Sequence, residues 1–437
     1  MERHPTIAPI TYQSQDISFS RWMSLLTLSL APLIAHILAG APRASYLTKH
    51  RPKWHEQLVH YNPTSILWRY ASIADRRIRA RAWDRTDIAA ANAIFWTDDG
   101  WDGSESMVER SRSYCTHMPD HARIAFFSSE MIKTWIITLQ GVQTISVLTR
   151  NLTGGNVKET FDRSLAVDFV FSPLSFIGLL RVFCALWLTD DFNYTSNRAI
   201  SRTTELSQLG TESNTMRRSS MDSLLDSPNC QPLSGHRYRP TSFSISRAFR
   251  VFFLLLLLAM LATALLFLIG SDESLESGYY TATSFSVALF YVVFLAATSG
   301  ICAVYFATGS SSTVIPCITA AWYKAYTVAI MAFAVATFII ACIETRETIC
   351  GRFTSMGGLP GDMGSCGATD RLVIPLARDN SSAFGIASTA RLDLVKNTPS
   401  NPGEIFIYDI MGMCLGDVKR TFLKTAILND TIPWRSG

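Results

Sequence analysis

A chain of 437 residues would suit two or three soluble domains, but 48% hydrophobic residues against 17% charged, with a positive mean hydropathy, point instead to a polytopic membrane protein. The net charge of +4 is modest, and its distribution matters more than its size, because basic side chains near helix ends set orientation while acidic ones contribute little. No internal repeat of solenoid length is present, and nothing in the chain supports nucleic-acid binding.

In chain order, a polar tail (1–21) leads into an apolar run from Trp22 to Gly40, interrupted only by small hydroxyls, Pro32 and His36; this is the first expected span. The rival reading is a signal peptide cut near Ala39 or Ala41, opposed by the long polar leader and by Arg43, Lys49, Arg51 and Lys53, which would hold this flank in the cytosol. The region 41–122 is basic and rich in Trp and Tyr, with a helix beginning near Pro63, Thr64 and Ser65. Within that helix Arg69, Arg76, Arg77, Arg79, Arg81 and Arg85 alternate with Ile66, Leu67, Tyr70, Ile73, Ile78 and Trp83. Two readings compete: a helix lying on an anionic leaflet through Arg76, Arg77, Arg79 and Arg81, or a solvated basic helix packed on its own domain.

The stretches KHRPKWHEQLVHYNP, LWRYASIADRRIRARAWDRTD and NAIFWTDDGWDGSE, with the later WLTDDF, VIPCITAAWYK and IETRETICG, resemble a set of uncharacterised multi-pass membrane proteins of filamentous fungi. The resemblance covers most of the chain and implies a fungal membrane protein; it carries over no activity and no functional residue.

The second expected span, 131–149, is the weakest, since it holds Gln140 and Gln143 between Lys133 and Arg150. Lys133, Gln140, Gln143 and Thr144 share one helical arc, as expected if a spanning helix turns its polar side inward; an interfacial helix is the alternative. Span three, 165–188, carries Asp168, Pro173 and Arg181. The region 189–246 then becomes rich in Ser, Thr and Arg with few apolar clusters, as a disordered cytosolic loop would. Its Arg217-Arg218-Ser219-Ser220 string makes Ser220 a candidate for phosphorylation by a basophilic kinase.

Val251 to Gly270 is almost wholly Leu, Phe, Ile, Val and Ala, each Leu, Ile, Phe or Val favouring insertion by roughly 0.3–0.6 kcal/mol. It anchors span four (248–270), and spans five (279–306) and six (315–343) follow around a break at Gly309 to Thr313. Ala296, Gly300 and Ala303 share one face of span five, and Ala325, Ala329, Ala332 and Ala336 share one of span six. Small residues in register let membrane helices approach closely, so spans five and six are expected to pack along these faces. The expected fold class is therefore an all-α polytopic membrane protein of about six transmembrane helices, followed by a small mixed extramembrane region (344–437).

In that last region Cys350 and Cys366 could close a disulfide, leaving Cys414 unpaired or exchanged with one of them. Placing both Arg-bearing regions in the cytosol requires an even number of crossings between them, which spans two and three supply, and puts both termini outside or in a lumen. The sequons at Asn151, Asn380 and Asn429 would then be open to glycosylation and that at Asn193 would not.

Motifs for chemistry are sparse. Asp98, Asp102, Gly103 and Glu109 fall at four positions of a calcium loop, but Gly100 and Glu105 break the pattern. Cys115, His117, Asp120 and His121 fit no zinc spacing, and His50, His55 and His60 are spread through a basic segment, so no metal and no cofactor are expected. Phosphate loops, nucleophile elbows and HExxH helices are missing, which makes catalysis the weakest reading. The leading expectation is a structural, sensory or regulatory membrane protein. The alternative is a small-solute transporter or channel, whose polar vestibule would be formed by Lys133, Gln140, Gln143, Asp168 and Arg181 on spans two and three.

Overall fold

Long apolar runs set the architecture, because a helix satisfies its own backbone where lipid offers no partner. The computed structural model describes residues 6–7, 9–48, 50–153, 165–195, 237–269, 279–347, 353–355, 406–411 and 417–422. Five segments in it are long and apolar enough to cross a membrane: Phe19–Gly40 (α1), Val167–Trp187, Ser244–Ile269 (α8), Ala282–Ala307 (α9) and Ala321–Glu344 (α10). The second of these is not one α-helix. It begins as the 3₁₀ turn Val167–Phe169, continues as α7 (Ser172–Gly178) with Pro173 in its first turn, and ends as the 3₁₀ helix Leu179–Trp187. Ser129–Thr153 (α6), the weak span of the sequence, is a continuous helix packed on α1, α7 and the 3₁₀ segment.

Hydrogen bonds between helix ends fix the direction of each crossing. At one end, Arg181 near the close of the third span bonds Glu130 at the start of α6 and the carbonyl of Ala39 at the close of α1. At the other end Thr283 at the start of α9 meets Glu344 at the close of α10 (2.8 Å), and Val167 N–H donates to Thr345 (2.9 Å). Hence α1, the third span and α9 run one way, and α6, α8 and α10 run back. This alternation places segments 41–128, 188–195, 237–243 and 308–320 together at one end, and this group folds as a cap.

The cap is a small α/β layer. Arg43–Tyr46 (β2) pairs in parallel with Ala93–Thr97 (β3), which pairs antiparallel with Gly100–Asp102 (β4). Gly100, at φ 106°, closes the β3–β4 turn in the left-handed region that glycine enters without strain. Asp98 and Asp99 form the tip of this hairpin, which is followed by the short helix Ser106–Arg110 (α5); the acidic stretch is a turn and not a calcium loop. Cys115–His117 (β5) and Asn193–Tyr194 (β6) tie the cap to the chain leaving the third span. At the opposite end Thr6–Ile7 (β1) pairs with Tyr279–Tyr280 (β7), and Arg346–Glu347 (β8) with Phe353–Thr354 (β9). Phe406–Met411 (β10) and Asp417–Phe422 (β11) form an antiparallel pair.

The central element is α3 (Pro63–Arg79), reached through Trp54–Leu58 (α2). Asn62 caps it by accepting from the Thr64 N–H, and Pro63 occupies the first turn, as its sequence predicts. Neither expected setting for this helix is found. Nearly all of α3 is buried, against α1, the 3₁₀ segment, α8, α9 and α10. Its first turn is wedged between helices: Asn62 donates to Thr327 (2.8 Å), Thr64 shares a hydrogen bond with Thr298 (2.8 Å), and Ser65 with the Tyr323 hydroxyl (2.7 Å). Trp68 stacks on Phe306 at 5.2 Å and donates to the Ser312 carbonyl. Thr298 lies nine residues before the end of α9, so at 1.5 Å per residue the α3 tip reaches about 13.5 Å into the bundle.

The small-residue faces do not meet. Ala296 and Gly300 on α9, and Ala325, Ala329, Ala332 and Ala336 on α10, are all exposed on the outside of the bundle, with Ala303 only half-buried. A Cβ built on Gly300 would touch nothing within 4 Å. α9 and α10 instead turn their larger and hydroxyl-bearing side chains inward, with Phe290 edge-on to Phe333 at 5.8 Å, because α3 fills the space that close packing would have removed. Close approach does occur elsewhere: a Cβ on Gly141 would fall 2.6 Å from Leu179, and one on Gly178 would fall 2.6 Å from Ile137. Those glycines let α6 sit against the third span. The buried stripe Ser246, Arg250, Phe253, Leu257 and Met260 seats α8, whose other faces are turned outward.

Candidate functional site

A polar cavity of about 190 Å³ lies where the cap joins the bundle, lined by Ala41, Arg43, Arg69, Asn92, Glu130, Lys133 and Asp190 among others. Five elements supply these groups. β2 brings Arg43, α3 brings Arg69, Arg85–Asn92 (α4) ends in Asn92, the first turn of α6 carries Glu130 and Lys133, and the chain after Trp187 brings Asp190.

Two carboxylates sit among four cations. Glu130 binds Arg181 (2.7 Å) and Lys133, and Asp190 binds Lys133 at 3.2 Å. Arg181 is fully buried below the cavity and also donates to Thr134 (2.8 Å) and to Ala39 O. Arg43 is held by the carbonyls of Asp190 (3.1 Å) and Phe192 (3.0 Å). Arg69 differs from these. It is 7% exposed and donates only to neutral oxygens, Gly40 O (2.9 Å), Asn92 O and Asn92 Oδ1 (both 3.1 Å), while its Nε has no partner. Among the described residues Arg69 meets no carboxylate at ion-pair distance. Burial, its largest influence, pulls Arg69 below the usual arginine value, and Arg181 nearby adds to that. Burial opposes ionisation of Asp190, but its hydrogen bonding to Glu130 and its pairing with Lys133 hold it below the usual carboxylate range.

Of the intramembrane candidates read from sequence, Lys133 lines the cavity and Arg181 closes its floor. Gln140 is half-buried with Oε1 unpartnered, whereas Gln143 faces outward, and Asp168 lies in the 3₁₀ turn at the opposite end of its span. The expected polar vestibule on spans two and three thus contains two of its five residues. Glu130, Arg69, Asn92, Arg43 and Asp190 are the ones that sequence reasoning passed over. Glu130 sits one helical turn before Lys133, a signal for an ion pair that the sequence did carry.

A second polar cluster holds the cap on the bundle. Asp75, 2% exposed, accepts from Arg79 Nε (2.9 Å), from Arg250 Nη2 (2.7 Å) and from Ser246. Burial acts against its charge, but the arginines outweigh it and hold the carboxyl below its ordinary value. Arg76 is fully buried and donates to the carbonyls of Gly103 (2.5 Å) and Ser311 (3.1 Å), and Arg79 pairs with Glu105. Arg76 and Arg79 are thus buried among protein acceptors, away from the surface at which the leaflet reading would place them. Arg77 stacks over Trp83 and Trp187 at 5.8 Å each, and of these four arginines Arg81 alone is exposed. Further out, Asp84 and Asp87 at the start of α4 grip Arg237 (2.7 and 2.5 Å), and Asp87 accepts from Tyr238 (2.5 Å). Arg237 and Tyr238 begin the segment by which the chain returns to α8.

Cys350, Cys366, Asn380, Asn429 and Ser220 lie outside the described residues, and Asn151 is described only as backbone in the last turn of α6. The described cysteines, Cys115, Cys184, Cys302, Cys317 and Cys342, are free thiols. No group of His, Cys, Asp or Glu suited to a metal ion is found among the described residues.

Fold and site together define an integral membrane protein, mostly helical, with a cap built onto one end of its bundle. Compared with family models, with curated proteins and with solved structures, the chain matches none.

Proposed function

We propose that this is a sensory or regulatory membrane protein in which occupancy of the polar cavity is passed to the cap. The observation that supports this reading is the placement of α4. Its last residue, Asn92, lies in the cavity bonded to Arg69, and its N-cap and first turn hold Arg237 and Tyr238 through Asp84 and Asp87. One short helix therefore touches both the cavity and the returning chain. Hydrogen–deuterium exchange on the protein in neutral detergent tests the link. Lys133→Gln with Asp190→Asn should raise exchange several-fold across 237–243 while leaving α9 and α10 unchanged; unaltered exchange there removes the reading.

The transporter alternative draws on the same cavity but meets Arg181, fully buried in bonds to both α1 and α6, as a sealed floor. Solute flux in proteoliposomes separates the two. Under this reading the Arg-bearing cap end faces the cytosol, both termini face outward or into a lumen, and the protein is of fungal origin as its cap segments suggest by resemblance. Glycosylation mapping tests the orientation: sugar at Asn380 or Asn429 is expected, and sugar at Asn193, in β6 of the cap, would reverse it.

A further inference from the structure

Extending the reading of the cavity as a recognition site, we infer that it receives the phosphate of a phospholipid headgroup, entering sideways from the adjoining leaflet. The charge balance is the first argument. Arg43, Arg69, Lys133 and Arg181 stand against Glu130 and Asp190, an excess of two positive charges around one small space. Buried cations are costly without a counter-charge, and Arg69 has only neutral acceptors and an open Nε. A phosphate oxygen in the cavity would supply that counter-charge, with Arg43 and Lys133 placed to bind the other oxygens by charge-assisted hydrogen bonds.

The rim is the second argument. Leu38, which lines the cavity, is 68% exposed on the outer face of α1, with Ile34 one turn earlier on the same face at 50%. Ile132, Trp135, Ile136 and Leu139 are exposed on the adjoining turns of α6. The mouth thus borders surfaces that face acyl chains, not water alone. At about 190 Å³ the cavity is smaller than the roughly 300 Å³ at which pockets for drug-sized ligands begin, so it suits a headgroup whose chains stay outside along Leu38 and Ile34. Pro42 and Arg43, at the start of the cap, also line the cavity.

The same oxyanion could come from a soluble phosphate ester, and the test separates the sources. Full-length protein in neutral detergent is offered phosphatidic acid, phosphatidylcholine, inorganic phosphate or glycerol phosphate, and retention is read by native mass spectrometry and by thermal shift. Phosphatidic acid should be retained, and Arg43→Gln or Lys133→Gln, both at solvent-reachable positions, should each weaken retention about tenfold while eluting as wild type on size exclusion. Leu38→Gln should weaken lipid retention and leave any response to glycerol phosphate unchanged. If the soluble phosphates bind with the same dependence on Arg43 and Lys133 and phosphatidic acid binds no better, lateral lipid entry is overturned while the cavity remains a recognition site. If no probe binds, or if binding ignores all three substitutions, the inference falls, and the exchange experiment still judges the link from cavity to cap.

Discussion

Replacing Asp75 by Asn removes one negative charge from a site where two guanidinium groups converge. The side chains of Asp75, Arg79 and Arg250 are 3%, 2% and 5% exposed, so solvent cannot stand in for the lost carboxylate. With charge centres about 4 Å apart and an effective dielectric constant of about 20, each attraction is worth about 4 kcal/mol before desolvation. Breaking a buried pair by removing one partner costs roughly 3–5 kcal/mol. The low end of that range applies here, because Arg79 keeps Glu105 and the Arg239 carbonyl (3.1 Å), and Arg250 keeps the Ser310 carbonyl (2.9 Å). A loss of about 3 kcal/mol corresponds to a fall in melting midpoint on the order of 10 °C. Fluorescence-detected size exclusion after heating in neutral detergent measures it. The double variant Asp75→Asn/Arg250→Met should recover part of the loss, with a coupling of roughly 1–3 kcal/mol. A midpoint for Asp75→Asn within about 2 °C of wild type, or strictly additive variants, would refute the claim that this ion cluster fastens α3 to α8.

Three further outcomes are expected. His60, 7% exposed and edge-on to Trp101 at 4.4 Å, is pushed down to about 3 by burial and by the nearby Arg69. Between pH 6.5 and about 3 the unfolded chain then carries a proton that the folded one does not, so stability falls by roughly 1.4 kcal/mol per unit as pH drops; His60→Phe should flatten that slope, read as midpoint against pH. Gly141→Ala and Gly178→Ala should each destabilise by about 1–3 kcal/mol through overpacking, whereas Gly300→Ala, with open space around it, should be neutral or gain up to about 1 kcal/mol from helix propensity. Glu130→Gln should cost more stability than Glu130→Gln/Arg181→Met costs beyond Arg181→Met alone, since in the double variant no buried cation is stranded.

The spans were legible because hydrophobicity is summed along the chain. Val251 to Gly270 announces its helix without reference to anything else, and α9 and α10 begin and end within a few residues of the expected limits except that Ile315 to Ala320 belongs to the loop. What sequence could not supply was the partner of each face. Ala325 and Ala336 read as a packing surface because nothing local says that α3, more than two hundred residues earlier, occupies the space between the helices. The arginines of α3 misled for a related reason: their partners are Asp75, Glu105, backbone carbonyls and Asn92, groups scattered over the chain, and a lone basic helix looks the same whether it lies on lipid or is buried with its acceptors. The cavity was half legible. Lys133 and Arg181 stand out as charges inside apolar runs, but Glu130 and Asp190 lie just beyond the ends of those runs, where a carboxylate is ordinary flanking polarity.

The 3₁₀ winding of Leu179–Trp187 sets the reach of the third span. Nine residues at about 2.0 Å each cover about 18 Å, where an α-helix would cover about 13.5 Å. With three residues per turn, Arg181, Cys184 and Trp187 fall directly above one another, so one ridge delivers the guanidinium to Glu130 and the Trp187 carbonyl to Asn92 (2.7 Å). Rewinding this stretch to α geometry would shorten it by about 4.5 Å and turn that ridge into a spiral. Length and alignment are coupled there: a change of pitch would retract the strap joining bundle to cap and swing its ridge away from both partners together.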